Sequence, residues 1–162
     1  MTTISIETRI AAPIEICFDL ARDVDTHVRT SAGNQERAVG GKTSGLLDLG
    51  DTVTWEAVHF LVRQRLTSRI TEFDRPLHFV DEMVKGAFAS LRHVHQFSVD
   101  GESTVMIDTL SWRSPLGILG VIADKVAVER HMRTFVTEKQ RNLKRYAEEL
   151  AARSVTAAVQ IP

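Results

Sequence analysis

The chain has 162 residues, with 20 Lys plus Arg against 21 Asp plus Glu and a formal net charge of -1. That length suits one domain burying most of its apolar surface, and the even charge balance argues against nucleic acid, whose phosphates need a basic face. Hydrophobic residues at 43% and charged residues at 25% exclude a disordered chain, and the lone Cys17 excludes an internal disulfide or a multi-cysteine zinc site.

No apolar run reaches the ~18 to 20 residues that span a bilayer. The opening Met-Thr-Thr-Ile-Ser-Ile-Glu lacks the grammar of a signal peptide, so a soluble, cytoplasmic domain without membrane insertion is expected. Residues 1–153 read as one domain and 154–162 as a flexible tail.

Thr2 to Ile10 alternates, with Ile4, Ile6, Thr8 and Ile10 on one face, and predicts a first strand. Pro13 sits where a helix begins, and Ile14, Cys17, Phe18 and Ala21 follow at helical spacing to Arg22. A second short helix fits Asp23 to Thr30, capped by Asp23 or Asp25.

From Asn34 to Arg113 short alternating runs predict an antiparallel meander. Its strands are Glu36–Lys42, Asp51–Phe60, Arg63–Phe73, Leu77–Val84, Ser90–Val99 and Thr104–Arg113, with a loose loop over Thr43–Gly50. Arg63, Arg65, Arg69 and Thr71 share a solvent face, with Gln64, Leu66, Ser68 and Ile70 opposite. Asp74-Arg75-Pro76 marks a turn. After Ser114-Pro115-Leu116-Gly117, apolar residues at helical spacing predict one long helix from about Ile118 to Arg153. Its basic residues, Lys139 among them, alternate with glutamates and read as a solvated face.

The fold class is therefore α+β: a curved antiparallel sheet of six to seven strands around a long C-terminal helix, with two short helices after the first strand. One helix cannot cover such a sheet completely, which leaves room for a ligand between them.

The run Ile6-Glu-Thr-Arg-Ile-Ala-Ala-Pro13 through Phe18 to Asp23 resembles the opening of the START-like, or SRPBCC, superfamily. Gly50-Asp-Thr-Val-Thr-Trp55-Glu-Ala, Phe79-Val-Asp81-Glu, His93-Val-His95-Gln-Phe97, Asp108 and Ser114-Pro115-Leu-Gly117 resemble its polyketide cyclase/dehydrase-like and coenzyme Q-binding-like branch. The resemblance covers the chain to about Leu150 and implies a helix-grip fold with an internal hydrophobic cavity. It is specific for fold and not for activity, since carriers, sensors and enzymes share this fold. Leu61 departs from the glycine expected after His59-Phe60.

His93 and His95 are two apart on a predicted strand, so both face one side, with Leu91, Phe97 and Val99. A tight hairpin at Gly101-Glu102 pairs Val99 with Thr104, Phe97 with Met106, His95 with Asp108 and His93 with Leu110, and so turns Asp108 inward beside His95. Met106, Leu110 and Trp112 share that parity. A turn at Phe60 to Arg63 pairs His59 with Gln64 and Trp55 with Ser68, placing Val53, Trp55, Ala57 and His59 inward and Glu56 outward, against a neighbour such as Arg65 or Arg69, unless a bulge flips the register and turns Glu56 into the inner polar cluster. Either Phe79, Asp81 and Met83 or Val80, Glu82 and Val84 face in; a tight turn at Asp74-Arg75 favours Asp81, near Ser68.

The expected ligand-binding wall is thus Trp55, His59, Asp81, His93, His95, Phe97, Met106, Asp108, Leu110 and Trp112. Burying its polar members costs about 1 to 3 kcal/mol each unless they find partners. Three readings compete. His95 and Asp108 satisfy each other and His93 reaches a carbonyl or water; or the groups orient the polar end of an apolar guest; or His93, His95 and a third group, with His59 reaching across, hold a metal.

The leading functional expectation is a carrier or sensor of a small hydrophobic molecule, lipid-, quinone- or polyketide-like, with no cofactor and no metal. A cofactor-independent cyclase or dehydrase, with Asp108 holding His95 as general base or acid, is a second reading. A protein-interaction module, such as a homodimer through a strand edge, is a third. Gly40-Gly-Lys-Thr-Ser-Gly45 lacks phosphate-loop spacing and reads as a flexible loop at the cavity mouth. Cys17 reads as buried on its helix; Met132, Phe135 and Leu143 read as core or cavity roof.

Overall fold

The computed structural model describes residues 1–31, 35–59, 61–114 and 127–159. The elements follow the expected order: β1 (Thr2–Ile10), α1 (Ile14–Ala21), α2 (Val24–Thr30), β2 (Arg37–Gly41), β3 (Thr52–His59), β4 (Val62–Asp74), β5 (His78–Lys85), β6 (Ser90–Asp100), β7 (Ser103–Arg113) and α3 (Glu129–Val159). The expected start of the last helix, near Ile118, lies outside the described residues. Its far end continues past Arg153 to Val159.

Seven antiparallel strands form one curved sheet in the order β1-β7-β6-β5-β4-β3-β2. The chain leaves β1, makes α1 and α2, and re-enters the sheet at the opposite edge as β2. The meander then returns strand by strand until β7 closes against β1. The long α3 lies against β1, α1 and α2. This is the helix-grip arrangement.

Local chemistry explains the short helices. Asp23 Oδ2 accepts the Thr26 N–H at 2.9 Å and caps α2, satisfying a donor that the first helical turn leaves unpaired. Asp25 instead takes the Gly45 N–H at 3.0 Å. Together with Val24 N to Gly45 O and Leu47 N to Arg22 O, both 3.0 Å, that bond ties the 42–51 connection to the α1–α2 junction. The expected loose loop is a tethered one.

Two apolar clusters hold the sheet to the helices. In the first, Phe18 of α1 is fully buried and meets Phe73, Phe79 and Phe97 edge to face at 5.5, 5.4 and 5.4 Å. Such pairs add about 0.5 to 1.5 kcal/mol each to the area term. Cys17 is buried beside them. The second joins Ile4, Leu91, Leu110 and Trp112 of the sheet to Val136 of α3.

The β6–β7 register is the expected one: Val99↔Thr104, Phe97↔Met106, His95↔Asp108 and His93↔Leu110. Val99, however, is exposed, lying at the end of the hairpin. The β3–β4 register differs. His59 pairs with Val62, Ala57 with Gln64 and Trp55 with Leu66, two residues tighter than expected. Leu61 turns the hairpin at φ 63°, a conformation that a leucine in the sequence does not advertise. A slip of two preserves which face each side chain takes, so Val53, Trp55 and Ala57 are still buried. Likewise Asp81 pairs with Ile70, not beside Ser68, and Ile70 and Asp81 both face inward.

Candidate functional site

A cavity of about 90 Å³ lies between the sheet and α3. Its apolar wall includes Trp55, Ile70, Phe79, Leu91 and Leu110 from the strands and Met132, Phe135 and Val136 from the helix. Its polar groups fall into two clusters that meet at Lys139.

The first cluster is built on β5, β6 and β7. Asp108 Oδ1 lies 2.6 Å from His95 Nδ1, and Asp81 Oδ2 lies 3.1 Å from His95 Nε2. Both ring nitrogens therefore face carboxylates. Burial by itself pushes the His95 pKa down, but Asp108 and Asp81 outweigh it and hold the imidazolium up to about 9. The ring also stacks on Phe79, with centroids 4.2 Å apart and planes 18° from parallel. Asp108 is in turn fixed by Gln140 Nε2 at 2.9 Å, an amide that also donates to the Ile6 carbonyl at 3.2 Å. Burial opposes the charge on Asp108 and on Asp81, yet the imidazoles keep both carboxyls below their ordinary range.

His93 stands beside His95, ring centroids 3.9 Å apart, and is the contrasting partner. Its Nδ1 is 3.8 Å from Asp81 and its Nε2 3.7 Å from Asp108, both too long for hydrogen bonds. Burial, reinforced by the His95 charge, pushes its pKa down to about 4. It is a neutral ring, and its buried Nε2 has no hydrogen-bond partner.

The second cluster joins α2, the start of β2 and α3. His27 stacks on Trp55 at 3.8 Å and 11°. Its Nε2 lies 3.0 Å from Glu36 Oε2, and Lys139 Nζ lies 2.7 Å from Nδ1. Lys139 Nζ also lies 2.9 Å from Nε2, so the ammonium spans both ring nitrogens, and Glu36 Oε2 meets the ring as an ion-pair contact without an aligned hydrogen bond. Burial, then the Lys139 charge, depress the His27 pKa, and burial depresses that of Lys139. Glu36 is held at about 2, the pull of His27 and Lys139 overcoming its burial.

Of the residues expected at the site, Trp55, Asp81, His93, His95 and Leu110 line the cavity. Asp108 stands behind the two imidazoles. Phe97 and Met106 pack in the Phe18 cluster, and Trp112 packs in the second core against Phe88. The side chain of His59 lies outside what the structure describes. Glu56 lies on the outer face as expected, but it is buried there, covered by its partners Arg37 (2.7 Å), Arg65 (2.9 Å) and Arg63 (3.1 Å), and Arg69 is not among them.

Sequence reasoning missed His27, Glu36, Lys139 and Gln140. Lys139 was expected on a solvated face and instead lines the cavity. The signal was present: Val136, Lys139, Gln140, Leu143 and Ala147 recur at helical spacing, which puts Lys139 on the buried stripe.

No protein-family model matches the chain, and no curated protein matches it by sequence. Solved structures do. The crystal structure of TTHA0849 from Thermus thermophilus superposes with a TM-score of 0.75 at 22% identity, over 93% of this chain and 99% of that one. A START superfamily protein from Mycobacterium smegmatis gives 0.67 at 12% identity, covering 91% and 98%. Ginseng major latex-like protein 151 from Panax ginseng gives 0.68 at 12%, covering 90% and 97%. Among the described residues no helix is long and apolar enough to cross a membrane. The architecture, the strand order and these likenesses agree that the chain has the START-like helix-grip fold.

Proposed function

We propose that the chain binds a compact, largely apolar small molecule between sheet and helix, as a carrier or sensor, with its polar end on His93 and Lys139. The supporting observation is the cavity itself, a largely apolar wall on which His93 and Lys139 stand as polar groups. The space of about 90 Å³ is smaller than the ~150 Å³ that holds benzene, so a single ring needs the wall to give a little and a longer guest, lipid-, quinone- or polyketide-like, needs it to open further.

A second reading has its own observation. His95, with a carboxylate on each nitrogen, has no free edge to take a proton, whereas His93 is neutral with a free nitrogen. In a proton-transfer enzyme of the cyclase or dehydrase kind, His93 is therefore the base, and His95 with Asp108 holds the field around it.

The test is native mass spectrometry of freshly purified protein, with extraction of any retained molecule, alongside Leu110→Trp, which fills the cavity. The expected result is a small apolar molecule on the wild type, or Trp55 fluorescence quenched by single-ring phenols and aromatic ketones, and neither in the filled variant. A wild type that retains nothing and responds to none of these probes would overturn the reading.

A further inference from the structure

We infer that Asp81, His93 and His95 form a site for one divalent transition-metal ion, with Asp108 as the carboxylate that orients both imidazoles from behind. The geometry is a bracket. Asp81 Oδ2 lies on the cavity side of the two rings, 3.1 Å from His95 Nε2 and 3.8 Å from His93 Nδ1. Asp108 Oδ1 lies on the far side, 2.6 Å from His95 Nδ1 and 3.7 Å from His93 Nε2. One carboxylate oxygen thus faces the inner nitrogens and the other faces the outer ones.

The three inner donor atoms lie within 4.8 Å of one another. Around a tetrahedral zinc ion with bonds near 2.0 to 2.2 Å, ligand atoms sit about 3.3 Å apart, so the Asp81–His93 pair closes by about half an ångström and the two imidazole nitrogens, at most 4.8 Å apart, by up to about 1.5 Å as the rings turn to the ion. Metal-bound histidines give their other ring N–H to a carboxylate, which fixes tautomer and orientation. Asp108 Oδ1 already faces His95 Nδ1 at 2.6 Å, as an ion-pair contact rather than an aligned hydrogen bond. It also supplies the acceptor that the unpartnered His93 Nε2 lacks, once that ring turns to the ion.

Charge points the same way. Glu36, Asp81 and Asp108 are three carboxylates facing one ammonium, Lys139. Arg22 at the rim is matched by Asp19 and Asp48. With both imidazoles neutral, the cavity is short of two positive charges, the charge of one divalent ion. Two imidazoles and one carboxylate with an open side toward the cavity is a donor set of zinc and non-haem iron(II) sites, and is too nitrogen-rich for Mg²⁺ or Ca²⁺.

The inference does not rest on a guest, because it is tested with metal alone. Chelator-treated protein is titrated with Zn²⁺ by calorimetry and with Co²⁺ by absorption and NMR, with Mg²⁺ as control. The expected result is one Zn²⁺ or Co²⁺ per chain, no Mg²⁺, and paramagnetically shifted ring protons from His93 and His95. His93→Gln and Asp81→Asn, checked for folding by circular dichroism, weaken binding by at least about 100-fold, and Asp108→Asn by about 10- to 100-fold. The wild-type NMR signature decides the matter if a variant does not fold. No uptake of either ion overturns the inference. So does binding that survives both first variants or shifts other histidines, such as His78 beside Glu72 and Asp74 on the surface.

Discussion

Asp108 reaches His95 Nδ1 at 2.6 Å because the β6–β7 hairpin sets the two residues directly opposite each other on the inward face. Directly paired residues share a face, and a pair inside the fold is free of the screening that weakens surface ion pairs. Replacing Asp108 by Asn keeps the shape and removes the charge. Breaking a buried pair from one side leaves the other member uncompensated, so Asp108→Asn is expected to lose about 3 kcal/mol at neutral pH. The His95 titration should fall well below about 9. Urea melts and histidine NMR read the two effects, and an unchanged His95 titration would show that Asp108 does not hold the ring.

Stability against pH follows from the same clusters in metal-free protein. Folded His93 titrates at about 4 against 6.5 unfolded, and His27 is shifted down as well. Both contributions are complete above 6.5 and are lost as pH falls below it, that of His93 down to about 4. Glu36, at about 2 against 4.5, adds a further loss between those values. His95 has the opposite sign: folded at about 9 against 6.5, its contribution is complete below 6.5 and disappears as pH rises through 9. A stability maximum near pH 6.5 is therefore expected from urea midpoints. A profile flat from 6.5 to 9 would mean that His95 is not clamped.

The His95–Asp108 pairing was legible in the sequence because Asp100-Gly101-Glu102-Ser103 is a turn whose chemistry fixes its length. The β3–β4 hairpin was not, since its tight turn places a leucine where glycine is the usual choice. The faces survived that error because strand parity repeats every two residues. His27, Glu36 and Lys139 come from three separate segments, and no spacing along the chain announces that they meet. Only the helical stripe through Val136, Lys139 and Leu143 carried a hint, which the interleaved glutamates obscured.

Lys139 sets the charge of the second cluster. Its ammonium lies 2.7 Å from His27 Nδ1 and, after burial, is the next cause of that ring's depressed pKa. Lys139→Met keeps the apolar stem and removes the charge. The His27 titration should then move up toward its ordinary value, because Glu36 remains to favour the imidazolium. NMR of the His27 ring proton checks this; an unmoved midpoint would show that Lys139 does not act on the ring.

Two turns make opposite predictions from one backbone argument. Gly101 turns the β6–β7 hairpin at φ 63°, with nothing within 4 Å of an added Cβ. Alanine there meets no neighbour, so its cost is the left-handed backbone alone, about 1 kcal/mol. Leu61 turns the β3–β4 hairpin at the same φ of 63° while 99% exposed, so its side chain returns nothing in packing. Leu61→Gly should therefore stabilise, by up to about 1 kcal/mol, where Gly101→Ala destabilises. Urea midpoints of the two variants decide it. If Leu61→Gly instead lowers stability, the side chain has a partner in the folded protein. If Gly101→Ala is neutral, the turn that sets Asp108 against His95 is not under the backbone constraint argued for it.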